Sequence, residues 1–370
     1  MDPTGNPRPL LRVFFLFLGI CSLLLALWTG LLRLGWSLPS LGPDFPLIHG
    51  PLMVSGFLGT LIGLERAVAL GHSLTYTIPF LTGVGALLLV VFPFSLFGPI
   101  LILVGSLGLS IELLLLSIRQ KSLFILIVLI GAVVWFLGNI IWVAVGSMPK
   151  VVLWWLGFLM LTVVGERIEL SRLRAIPWLS VWVFLALTVL FLTGLFVSVF
   201  NFLLGLHIAG IGMVGFSVWL FRYDISRVAI RFTGLSRYIA TCVLSGCIWL
   251  GVSGLLALFY GRFSSGFQYD ALLHSFFLGF VFSMVFGHAP IAFSSVVGKT
   301  LPFSRAFYLP LGLLHLSLLF RVLGDLISLV PLRSWGGFLN VICILIFFIS
   351  TLGTFFYTVK VKNRKSLAIQ

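Results

Sequence analysis

The chain has 370 residues, of which 60% are hydrophobic and 9% charged, with a mean hydropathy of +1.22. Soluble domains carry roughly 25% charged residues, so there is too little polar surface here to coat a globule in water, and the chain reads as an integral membrane protein. The net charge of +14 would suit a nucleic-acid partner, but the placement of the basic residues along the chain excludes one.

Apolar runs of about 20 residues, the length that crosses a bilayer, recur from end to end, and backbone hydrogen bonding in lipid makes them helices. The predicted spans are 11–32, 47–70, 77–96, 99–118, 122–146, 150–171, 178–199, 202–222, 237–260, 271–294, 306–330 and 335–359. The expected fold is therefore all-α, a polytopic membrane protein of about 12 transmembrane helices in a single domain over residues 1–370. The first run has an Arg-containing lead, but its apolar part exceeds that of a signal peptide and no small-x-small cleavage site follows, so it reads as a retained helix.

With the N terminus inside, most of the 23 Lys and Arg residues fall on the cytoplasmic side, among them Arg12, Arg66, Arg119, Lys121, Arg167, Arg172, Arg174, Arg222, Arg227, Arg231, Arg237 and the tail "KVKNRK". The outer loops keep only Arg33, Lys150, Arg262 and Arg333, and Arg321 lies within a span. This is the positive-inside pattern, which predicts cytoplasmic N and C termini in a cell inner membrane. The basic charge is thus topology, with the lipid bilayer as its partner and no nucleic acid.

The second span, "LIHGPLMVSGFLGTLIGLERAVAL", begins with His49 and ends with Glu65 and Arg66. Ionisable groups at membrane depth raise a functional hypothesis by default. Ser55, Gly59 and Gly63 form a small-residue stripe on it, and Gly279, Ser283 and Gly287 form another on the tenth span. Such stripes let a second helix approach closely, or let a flat cofactor lie against them. "GLERAVAL" closing the second span is echoed by "GERIELSRL" closing the sixth. Glu65, Glu112, Glu166 and Glu169, beside Arg66 and Arg167, read as interfacial ion pairs, with proton uptake as the sharper alternative. Cys21, Cys242, Cys247 and Cys343 lie inside spans without C-x-x-C spacing, which indicates packing residues and no covalent haem attachment.

Five of the six histidines, His49, His207, His274, His288 and His315, lie in or at the edge of spans. At about 1.5 Å per residue, His49, His207 and His274 share one layer near the outer ends of three outside-to-inside spans. His288 falls about 21 Å deeper than His274, and His315 near the midplane. Imidazole is the common axial ligand of haem iron and a frequent copper ligand, so His49 with His274 is the expected axial pair, with His207 and His315 as further metal ligands. In "RVLGDL", Arg321 is expected to neutralise a cofactor carboxylate with Asp325, one turn on, holding it in place.

His49-Gly50-Pro51-Leu52-Met53 resembles the His-Gly-x-x-Met pattern at the outer end of the second helix of haem-copper oxidase subunit I, and the partner ligand of that family comes from helix ten, where His274 stands. The sixth and seventh spans have no histidine, so the copper centre of an oxygen reductase is contradicted. "HSFFLGFVFSMVFGHAP" with "LLHLSLLFRVLGDL" is similar to the C-terminal helices of the NnrS family. That resemblance implies haem, copper in addition, a redox partner, and a role in nitric oxide or respiratory redox metabolism. A proton-coupled secondary transporter lined by Glu112, Asn139 and Arg321 is the alternative expectation, and a cofactor-free assembly factor a third.

Overall fold

The protein is described by a computed structural model covering residues 9–93, 95–174, 176–260, 264–298 and 300–367, with side chains described from 10 to 355. Arg8, Arg262 and Lys299 lie outside the described residues, and the side chains of the tail lie outside them too.

Twelve helices are long and apolar enough to cross a membrane, and no strand occurs among the described residues. The spans are Leu10–Arg33, Phe45–Leu70, Ser73–Val91, Phe97–Arg119, Leu123–Val145, Met148–Arg174, Trp178–Phe200, Phe202–Tyr223, Gly234–Tyr260, Phe267–Val297, Arg305–Leu326 and Val330–Phe355. This is the architecture of a multi-pass membrane protein. Where boundaries differ from the sequence reading, local backbone chemistry decides. The eleventh span stops at Leu326 because Ser328 turns into the left-handed region at φ 57°, and Leu329 N–H then reaches back to the Gly324 carbonyl.

Burial ranks the spans. The sixth is 83% buried over its most apolar window and the second 72%, against 33% for the seventh and 28% for the twelfth. A stripe of buried residues suffices for a span that faces lipid, so the second and sixth are central helices and the seventh and twelfth peripheral ones. Most buried apolar side chains join one cluster that runs through Trp135, Trp155, Phe158, Phe280 and Phe282.

The second and tenth spans run parallel, and three rungs hold them in register. The rings of His49 and His274 lie with centroids 6.4 Å apart, Phe57 and Phe282 with centroids 6.0 Å apart, and Glu65 and His288 meet at 2.8 Å. Both spans leave α-helical geometry soon after the histidine near their N-terminal end. Leu52–Gly59 and Ser275–Phe282 are π-helical, eight residues each. Wide helical turns of this kind are rare and concentrate at functional sites.

The small-residue stripes are filled by protein. A Cβ at Gly59 would lie 2.6 Å from the Trp135 indole, and one at Gly279 would lie 2.4 Å from Trp249. Gly63 faces Ile78 and Gly287 faces Cys242. Helix and indole packing therefore accounts for these stripes, and the expectation of a flat cofactor lying against them is corrected.

Candidate functional site

His49 sits between a short 3-10 turn, Phe45–Ile48, and the π-helical segment. Its Nδ1 is 2.8 Å from the carbonyl of Ala26 on the first span. A carbonyl only accepts, so Nδ1 carries the proton and Nε2 keeps its lone pair. Gly30, one turn beyond Ala26, makes room for the ring, since a Cβ there would stand 3.0 Å from Cε1 and 3.1 Å from Nδ1.

His274 repeats the arrangement. Its Nδ1 is 2.9 Å from the carbonyl of Asp270, one turn earlier, and 3.2 Å from the Asp270 carboxylate. Here too Nδ1–H is the donor and Nε2 is free. Neither Nε2 has a protein hydrogen-bond partner among the described residues. The two rings are inclined by only 23°.

Asp270 is the hub of a charged network. Its Oδ2 accepts from Arg321 Nη2 at 2.9 Å and from Arg333 Nη2 at 3.3 Å. Arg333 Nε donates in turn to Asp325 at 2.6 Å, and its guanidinium lies over the Phe267 ring. Two arginines and two aspartates thus cancel inside the bundle, which is how charges persist at membrane depth. Arg321 does not pair with Asp325 as the one-turn spacing suggested. The close hairpin of spans eleven and twelve brings Arg333 to Asp325 and leaves Arg321 for Asp270. Glycines make that closeness possible. A Cβ at Gly324 would stand 2.4 Å from the Arg333 backbone, and one at Gly336 would stand 2.5 Å from that of Arg321. The network is not saturated: Arg321 Nε and Asp325 Oδ2 are buried without a partner.

The other two histidines of the expected ligand set go elsewhere. His207 turns back to the carbonyl of Leu203 on its own span at 2.6 Å, and no ring or hydrogen-bond contact among the described residues joins it to His49 or His274. His315 accepts the Trp249 indole N–H at Nδ1, 3.1 Å away. The proton of a neutral His315 must then sit on Nε2, which is the wrong tautomer for a metal ligand at that atom. Asp270, Arg333, Ala26 and Gly30 are residues of the site that the sequence reading did not assign. For Asp270 the signal was in the sequence, because "DALLH" places a carboxylate one helical turn before His274.

Whether these residues fit a haem can be tested on their donors and spacing. Metal-bound histidines usually donate their second N–H to a carbonyl or carboxylate, as both rings do here. The His49 and His274 ring centroids stand 6.4 Å apart with the planes inclined by 23°. Among the described residues no group of three or more His, Cys, Asp or Glu is placed to hold a metal ion.

A family model described as a domain of unknown function (DUF8744) matches residues 12–355, nearly the whole membrane bundle. The chain belongs to that family. No curated protein matches it. The match takes in every residue of the histidine layer and of the charged network.

Proposed function

We propose that this protein is a haem-binding, multi-pass protein of a cell inner membrane, with both termini cytoplasmic, that passes electrons in respiratory or nitric oxide metabolism. The observation that carries the reading is the matched pair His49 and His274, near-parallel and 6.4 Å apart, each with Nδ1–H tied to a backbone carbonyl and Nε2 free. Bound there, a haem would supply one-electron chemistry.

The chain's own residues account for the rest. Ala26 and Gly30 fix the orientation of the His49 ring, and Asp270 fixes that of His274. Arg321, paired through Nη2 with Asp270, keeps its buried Nε without a partner, and that N–H is the donor left for a haem carboxylate beside the His274 end. His49 and His274 would hold the group through their free Nε2 atoms, and the chemistry it would supply there is electron transfer to a redox partner. Copper has no third protein ligand near the pair, and it is not part of the proposal.

The test is to purify the protein after expression with ample haem and record its spectrum beside His49→Gly and His274→Gly variants. A Soret band lost in each variant and restored by free imidazole is expected. A haem-free protein from cells that load a control haem protein would refute the reading.

A further inference from the structure

The second and tenth spans meet again at their C-terminal ends, around a different kind of cluster. Glu65 and His288 face each other at 2.8 Å, and Arg66, the next residue of the second span, is bonded to Glu166 of the sixth. The echoing segments "GLERAVAL" and "GERIELSRL" are therefore in contact. Counted at neutral imidazole, Glu65, Arg66, Glu166 and His288 carry one net negative charge, and a single proton on His288 brings the group to neutrality.

Glu112 of the fourth span adds an unfilled position. Both of its carboxylate oxygens are buried without a partner, the residue is only 8% exposed, and Arg66 is the charged group acting on it. Arg66 Nε is likewise buried without a partner. Unpartnered groups of opposite sign at membrane depth are costly, and a proton on the carboxyl, or a water between the two, supplies what is missing. A metal cation is not the natural occupant, since no set of three carboxylate, histidine or cysteine ligands is placed to hold one among the described residues.

The surroundings add few competing groups. The first span, which packs on both helices of the Glu65–His288 pair, brings Arg12, which hydrogen-bonds Tyr76 of the third span. The ninth span, packed on the tenth, brings Tyr238 and Cys242, whose side chains interact electrostatically while the Tyr238 hydroxyl is buried without a hydrogen-bond partner. Arg167, beside Glu166, is already held by Asp224 through two bonds of 2.7 Å. The fifth span, packed on the fourth, has no titratable group. The His288 side chain reaches the protein surface at 42% exposure and that of Glu65 at 29%, while Glu112 is buried.

We propose that Glu65, His288, Arg66, Glu166 and Glu112 form a proton-exchange site, entered at His288 and ending at Glu112. The site stands independently of the haem reading. Infrared difference spectra of the purified full-length protein, titrated over pH in H2O and D2O with and without haem, test it directly. A protonated-carboxyl band that shifts on deuteration is expected in the native protein. It should be lost in Glu112→Gln, displaced in Glu112→Asp, and exchange more slowly in His288→Gln. The absence of any such band, or a band unchanged in both Glu112 variants, overturns the proposal; unslowed exchange in His288→Gln overturns the entry point. A protein that keeps the carboxyl band yet binds no haem would sink the haem reading alone.

Discussion

The two ends of the second and tenth spans offer a controlled comparison, because the same pair of helices carries histidine at both. At the N-terminal ends, His49 and His274 spend Nδ1–H on backbone carbonyls and keep Nε2 free. At the C-terminal ends, His288 commits Nε2 to Glu65. The difference teaches that depth alone does not assign an intramembrane histidine. Which nitrogen is occupied and what the ring meets both count: His207 also gives Nδ1 to a carbonyl, yet no contact among the described residues joins it to His49 or His274.

The comparison is broken most severely at its ligands. His49→Gly or His274→Gly should abolish haem retention, read as loss of the Soret band, whereas His288→Gln should retain it. Next is the hub. Asp270→Ala leaves Arg321 and Arg333 without their shared counter-charge, and losing one partner of a buried charge pair costs about 3–5 kcal/mol. Thermal unfolding in detergent should show a large drop in midpoint, with Asp270→Asn intermediate.

Gly336→Ala comes third. Its Cβ would fall 2.5 Å from the Arg321 backbone nitrogen, and overpacking of this kind costs about 1–3 kcal/mol. The same melting experiment should rank it below Asp270→Ala. Gly30→Ala sharpens the comparison more finely. The added methyl meets the His49 ring at 3.0 Å, so the ring tilts, and the expected outcome is a displaced haem spectrum with little change in melting. The smallest effect belongs to His207→Ala and His315→Ala, which should leave haem content unchanged by pyridine haemochrome assay.

Much of this was legible in the sequence. Twelve apolar runs gave the helices, and counting rise per residue put His49 and His274 in one layer and His288 in another. Depth, however, fixes a layer and not an angle around the bundle, which is why His207 shared the layer but not the site. His315 needed its partner: only the Trp249 N–H reveals the tautomer. Arg321 and Asp325 show a different limit, because a neighbour one turn away on the same helix lost to partners brought in by a hairpin that Gly324 and Gly336 allow to close. The π-helical segments were invisible to any reading built on a 3.6-residue period. Both follow the paired histidines, and their glycines receive Trp135 and Trp249, the packing that small-residue stripes ordinarily serve, where the sequence also offered a cofactor as the sharper reading.

The most direct single measurement is the low-temperature electron paramagnetic resonance spectrum of the oxidised, haem-loaded protein, taken with its optical spectrum. A low-spin signal from a metal with two near-parallel imidazole ligands, absent from His49→Gly and from His274→Gly and regained with added imidazole, is the expected result. A high-spin signal, or a low-spin signal that survives both substitutions, would contradict the assignment of these two histidines as the ligand pair.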